Sequence, residues 1–329
     1  MQVARSLLPQ DAAKWHGFLR DYFCDKDATA APSLADDTID LELAWPADAQ
    51  RHVDPALPIG LAWWARGVTL GSMWSSHWRE GRIMTALFDT WTLLSWSEWL
   101  HRVERKVAED VVVLHVDDHR DLGPPRLIVR NDSLIDAITD AAVNVRDSAS
   151  IRPAIESGAI GMGSFMTPFV HEFPNLQVRH LCQPPKVVED ARYAVGIVYD
   201  KDVLLRPGED RLAIKMTRAA LSDASANYLV TDDAKRWGSG IEGRPVLVHI
   251  DMDYFNNRYD GDSDWRHRTP ALDPDLPTMQ RKVDELVDAL AESKARIEDV
   301  VIAYSPGFFP AEYWEPLDQR LRDGLRHIL

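Results

Sequence analysis

Residues 111–123 read VVVLHVDDHRDLG, and residues 245–257 read PVLVHIDMDYFNN. Each is a short, β-branched apolar run that breaks abruptly into carboxylates. A run apolar at successive positions, not alternate ones, is what a strand covered on both faces of a sheet requires. The same grammar recurs outward along the chain in RLIVR from Arg126, LQVRHL from Leu176 and VVIAY from Val300. Between PVLVHI and VVIAY lies a helical stripe of Met279, Val283, Leu286, Val287 and Leu290. Strand, helix, strand at these lengths predicts parallel pairing. Leu317, Leu321, Leu325 and Ile328 predict a last covering helix, and Leu87, Trp91, Leu94 and Trp99 a helix from about Met84 to Val107. The expected fold is α/β: three layers, with a mainly parallel central sheet and helices on both faces.

The expected domain organisation is a single domain over 1–329 with a Trp-rich N-terminal elaboration at about 1–60. Nine of the twelve tryptophans precede residue 100. Most are expected in the core, but Trp63, Trp64, Trp74 and Trp78 sit among Gly and Ser, where a binding role is more plausible. The polar loop Asn256 to Pro277 is expected to be an ordered lid or substrate-side loop.

Composition narrows the function. With 52 acidic against 37 basic side chains the formal charge is −15, which argues against a nucleic-acid partner, since phosphate binding needs a basic face. The 45% hydrophobic and 27% charged residues are those of a soluble globular chain. Cys24 and Cys182 form no CxxC pair and no disulfide framework. The N-terminal MQVARSLLPQDAAKW lacks the apolar stretch of a secretory signal, and no run approaches the roughly 20 apolar residues of a membrane span. The expectation is a cytoplasmic protein without a membrane anchor; a homo-oligomer is compatible with the sequence.

The chemistry sits at the two strand ends. In DDHRD, Asp117, His119 and Asp121 are two residues apart, so an extended segment points all three to one side. Asp251 and Asp253 repeat the spacing. In open α/β sheets ligands gather at the carboxyl ends of strands. Four carboxylates converging there repel one another unless cations neutralise them. Carboxylates with imidazole favour Mn²⁺, with Zn²⁺, Fe²⁺ or Co²⁺ also compatible. A pair of such ions about 3.5–4 Å apart lowers the pKa of a shared water, which makes a hydrolase.

VDDHRD and HIDMD resemble the two metal-binding motifs of the arginase/deacetylase superfamily. IGMGSF (160–165), HIDMDYFNN and IAYSPGFFP (302–310) are similar to the UPF0489 family, which includes the peptide arginases. The resemblance covers roughly residues 60–329. It implies an arginase-like fold with two Mn²⁺ per chain bridged by Asp117 and Asp251. Asp121 would complete one metal site, and His119 and Asp253 the other. It also implies an upstream His ligand, for which His77 in TLGSMWSSHWREG is the candidate and His101 the weaker one. The implied reaction is conversion of arginine to ornithine and urea inside a ribosomally made precursor peptide. A proton donor is needed as well, and His171 is the candidate, with His180 behind it. Arginases pair the guanidinium with a Glu on the strand after the DxD helix, where this chain has Tyr304 and Ser305. Glu312 is the candidate replacement, with Asp118 or Asp264 as others. The alternatives are an amide deacetylase, a small-molecule guanidine hydrolase, or a non-catalytic peptide-binding protein with a retained metal site. A mononuclear deacetylase needs fewer acidic ligands than this chain offers.

Overall fold

The computed structural model describes residues 1–34, 37–47, 52–261, 267 and 273–329. Among them, the central sheet has twelve strands. Its middle is six parallel strands: β1 (Ile83–Ala86), β2 (Val112–Val116), β3 (Gln177–Leu181), β4 (Tyr228–Thr231), β5 (Pro245–Asp251) and β6 (Arg296–Ala303). Their order across the sheet is β1-β6-β5-β2-β3-β4. The flanks are antiparallel. His77–Glu80 pairs with β1, and beyond β4 come the hairpin Ala191–Lys201/Asp210–Ala219 and the strands Leu127–Arg130, Ser133–Asp136 and Ala142–Val143. The sheet is therefore mixed, and RLIVR belongs to its antiparallel flank.

Every residue of β2 and β5 is buried, so both sheet faces are covered there. The helices do this in two groups. α1 (Trp91–Leu100) packs on α2 (Ser148–Ser157), and Trp96 of α1 meets Phe165 and, in α3 (Met166–Glu172), Phe169, with ring centroids 5.8 and 4.8 Å apart. α5 (Leu276–Ser293) packs on both α4 (Ala234–Gly238) and α6 (Trp314–Leu325). The chain crosses the sheet one way from β1 through β2 to β3 and returns from β4 through β5 to β6. Right-handed crossovers therefore place the two groups on opposite faces.

α5 carries the expected stripe: Met279, Val283, Leu286 and Leu290 are buried, and Asp275 caps its N-terminus by accepting from the Thr278 N–H. The expected helix from Met84 to Val107 is corrected. Its first residues form β1, and helix begins only at Trp91, breaks after Leu100 and resumes as a single turn at Arg105–Glu109. A four-residue apolar run has no period of its own, and pairing with β6 decides it.

The N-terminal segment forms a small antiparallel sheet (Gln2–Ala4, Asp27–Pro32, Thr38–Ala44) beside the helix Trp15–Phe23. Val3, Leu19, Tyr22, Phe23, Ile39 and Leu41 make a separate apolar cluster there. The tryptophans concentrate after it: Trp91, Trp96 and Trp99 are fully buried, Trp45 stacks on Trp74, and Trp64 meets Trp78 at a tilt of 39°. Among the described residues no helix is long and apolar enough to cross a membrane.

Candidate metal centre

β2 and β5 are neighbours, yet the chain leaves β2 toward β3 and leaves β5 toward β6, in opposite directions. A crevice opens at such a switch point, beyond the carboxyl ends of the strands. Both acidic motifs fall there: Asp117–Asp121 follows β2, Asp251 ends β5, and Asp253 sits in the single 3-10 turn Met252–Tyr254. β1 delivers a further carboxylate, Asp89, three residues past its end. A cleft of about 560 Å³ is lined by Asp89, His119, Asp121, Asp251, Asp253 and Ser305, with an apolar wall of Leu122, Met162, Ile214, Met216 and Phe308.

Backbone hydrogen bonds lock the motifs together. Asp117 Oδ1 accepts the His119 N–H at 2.5 Å, Asp251 Oδ1 accepts the Asp253 N–H at 3.1 Å, and Asp253 Oδ1 accepts the Asp118 N–H from the other motif at 3.2 Å. The His119 ring lies with Nδ1 3.0 Å from Asp253 Oδ2 and 3.5 Å from Asp117 Oδ1, while its Nε2 is 3.0 Å from Asp260 Oδ1. Ser305 Oγ donates to Asp251 Oδ2. Ligand atoms within 4.8 Å of one another come from Asp117, His119 and Asp253; from Asp89, His249 and Asp251; and from His115, Asp117, Asp121 and His249.

The electrostatics are unfavourable without a counter-charge. Burial, then the neighbouring Asp253, pushes Asp117 up to about 6. Asp89, Asp121 and Asp251 are raised well above the ordinary carboxylate range by burial and then by neighbouring carboxylates, first Asp117 for Asp89 and Asp121 and first Asp253 for Asp251. Burial opposes a charged His119, but the Asp253, Asp117 and Asp260 carboxylates outweigh it and raise its pKa. One imidazolium does not balance five carboxylates. Asp89 Oδ1, Asp117 Oδ2 and Asp121 Oδ2 are buried without a hydrogen-bond partner. Orphaned, mutually repelling hard oxygens fit a metal ion, which supplies both the missing partner and the missing charge.

Beneath the cluster runs a row of histidines. His249, His115 and His180 sit in register across β5, β2 and β3, with ring centroids 5.1 and 4.6 Å apart. His115 Nε2 bonds the His119 carbonyl at 3.0 Å and His180 Nε2 the Asp117 carbonyl at 2.9 Å. Carbonyls only accept, so both Nε2 atoms carry protons. His180 Nδ1 then accepts from the Tyr228 hydroxyl at 2.8 Å, and His115 Nδ1 from His249 Nδ1–H at 3.0 Å. This leaves His249 Nε2 as a buried lone pair with no hydrogen-bond partner. Burial, then a neighbouring imidazole, holds all three neutral: His115 and His180 well below the usual range, His249 at about 3.

A group with a depressed pKa contributes stability above its unfolded pKa, roughly 6.5 for His, that is lost as pH falls toward the folded value. His180→Gln should therefore flatten the fall of melting temperature between about pH 7 and pH 5 in chelator-treated protein. Parallel melting curves for the two proteins would show that His180 is not held neutral by the fold.

Other sequence-predicted residues lie elsewhere. His77 is not brought into any of the ligand groups: its ring stacks on Trp91 at 4.0 Å, and its Nδ1 meets the Ser75 carbonyl at 2.9 Å. Because 83–86 is a strand, the residue that reaches the cleft from this region is Asp89. The sequence signal was IMTALFD, an apolar strand running into Asp as in the other two motifs. His101 is exposed at the end of α1. His171 is half-buried on α3, its pKa lowered by burial, and does not line the cleft. Glu312 is exposed and held by Arg258 Nη1 at 2.8 Å, outside the cleft lining. Asp118 is taken by Lys186 Nζ at 2.6 Å and by Asn257 Nδ2 at 2.7 Å. Asp264 lies outside the described residues. The Tyr304 hydroxyl donates to buried Asp318, so of the pair at 304–305 only Ser305 faces the cleft. Among the described residues no tryptophan lines it.

The chain matches no protein-family model and no curated protein.

Proposed function

We propose that this chain is a metal-dependent hydrolase of arginase-like architecture that takes two Mn²⁺ and converts arginine side chains within a peptide to ornithine and urea. The observation that carries this reading is the convergence of Asp89, His119, Asp121, Asp251 and Asp253 on one cleft, with Asp117 within ligand distance of His119, Asp121 and Asp253 and carboxylate oxygens of Asp89, Asp117 and Asp121 left without a hydrogen-bond partner. Asp117 and Asp251 would be shared between the ions, with Asp89 and Asp121 completing one site and His119 and Asp253 the other. Bound divalent ions supply Lewis-acid activation of water and polarisation of the guanidinium.

The chain's own residues do the rest. Asp260 fixes the His119 ring so that Nδ1 faces Asp117 and Asp253, as an outer carboxylate does for a metal-binding imidazole. Met162, Ile214, Met216 and Phe308 offer a wall for the methylene stem of the arginine. The acidic lining draws a cation inward, and among the described residues Arg120 is its single Lys or Arg. That balance suits an arginine whose α-amino and α-carboxyl groups are locked in amide bonds. Water adds at the guanidinium carbon, the Cζ–Nε bond breaks, Nε leaves with a proton as the ornithine amine, and the carbon departs as urea.

Incubating Mn²⁺-loaded protein with arginine-containing peptides should release one urea per arginine lost, with the peptide mass moving from arginine to ornithine and EDTA abolishing both changes. Release of an acyl group from an acylated amine, with no urea from any guanidine, would overturn the assignment.

A further inference from the structure

We propose that a second cavity, between the N-terminal helix and the body of the protein, is the subsite for an apolar side chain next to the modified arginine in the same peptide. This inference rests on the peptide reading above. The cavity measures about 450 Å³, within the usual range for ligand pockets, and Phe18, Tyr22, Cys24, Pro124, Val203 and Arg211 contribute to its lining.

Three observations identify the occupant. First, the cavity and the metal cleft share two residues, Gly123 and Gly163. The Gly123 N–H donates to the Gly163 carbonyl at 2.8 Å, and a Cβ on Gly123 would stand 2.7 Å from that oxygen, so the close approach demands glycine. A Cβ on Gly163 would meet nothing within 4 Å. The partition between the cavities is thus bare backbone, over which an extended chain can pass. Second, Val203 on the cavity wall is 53% exposed, an apolar surface that a peptide side chain would cover. Third, Arg211 lines the cavity with its guanidinium carbon 6.0 Å from the Tyr22 ring centroid, a cation beside the apolar wall where a peptide carbonyl would pass. The N-terminal segment also reaches the partition, where Asp25 accepts the Met162 N–H at 2.7 Å. Free arginine cannot fill both cavities at once, whereas a peptide can.

Cys24 supplies the probe. Its thiol is exposed in this cavity while Cys182 is buried, so alkylation by N-ethylmaleimide followed by mass spectrometry reports on Cys24 with Cys182 as internal reference. Peptides with leucine on both sides of the arginine should slow Cys24 alkylation by at least about fivefold, while glycine-flanked peptides and free arginine leave it near the unliganded rate. No protection by the leucine-flanked peptide, or equal protection by the glycine-flanked one, would overturn the subsite. Protection without urea release would uphold the subsite and overturn the hydrolysis. As a second measurement, Gly163→Leu, whose side chain rises into open space on the partition, should raise the KM for the leucine-flanked peptide at least about tenfold. An unchanged KM would show that the peptide does not cross there.

Discussion

Asp117→Asn is expected to shift stability in opposite directions in the two metal states: the metal-free protein should melt higher than the native sequence, and the Mn²⁺-saturated protein lower. Asp117 is buried among carboxylates with its pKa pushed up to about 6. A raised carboxylate pKa means that the stability linked to this group is fully present below the unfolded value, near 3.9, and is lost as pH rises through about 6. The gap between those two values corresponds to about 3 kcal/mol, all of it penalising the metal-free fold at pH 7.5. Asparagine keeps the oxygen that accepts the His119 N–H and removes the charge. With metal present the same substitution would delete the ligand proposed to be shared between the ions, so the stabilisation by Mn²⁺ should shrink and the proposed hydrolysis fall by at least about a thousandfold, several kcal/mol of transition-state stabilisation. Thermal melts at pH 4 and 7.5, with EDTA and with Mn²⁺, decide it. Equal shifts of one sign in both metal states would show that Asp117 is an ordinary buried carboxylate.

Asp89 should govern both how many ions bind and which ones. Asp89→Ala is expected to leave one tight metal equivalent in place of the two proposed for the native protein, weakening the other by at least about a hundredfold. Asp89→His should restore the second equivalent but move the preference toward Zn²⁺, because imidazole in place of carboxylate softens the donor set. Metal analysis after dialysis, with Mn²⁺/Zn²⁺ competition, reads both. Two equivalents held by Asp89→Ala at native affinity would remove Asp89 from the ligand set. This residue, with a buried unpartnered oxygen and a place on the cleft wall, stands where the upstream histidine was expected.

That substitution of one residue for another marks what the sequence can and cannot convey. At 111–123 and 245–257 the strand and its chemistry are contiguous, so one pattern carries both fold and site. β1 is only four residues long and merges into a Trp-rich helix, so its period is ambiguous and the Asp three residues beyond it does not stand out. The resemblance implies His77 as an upstream ligand, but an antiparallel pairing with β1 turns it onto Trp91. The histidine row is invisible for a different reason. His115, His180 and His249 each sit in an apolar run, and only the order β5-β2-β3 in the sheet brings them into register. Likewise, the parallel centre follows from contiguous apolar strands, whereas the antiparallel flank depends on long-range pairing such as that of Leu127–Arg130 with the 210–219 strand.

The strand order also sets a timetable for biosynthesis. β5 and β6, which emerge from the ribosome after the other four parallel strands, fill the gap between β1 and β2. Until they insert, Asp89 and the DDHRD segment have no Asp251 or Asp253 beside them, and the nascent chain is spared the repulsion of the completed cluster. Assembly of the centre and closure of the sheet thus become one late event after residue 303, at which an available divalent ion would favour the last insertion step. A chain truncated before β5 would carry only part of the ligand set, so quality control could read metal retention as a report that synthesis had run past the sixth parallel strand.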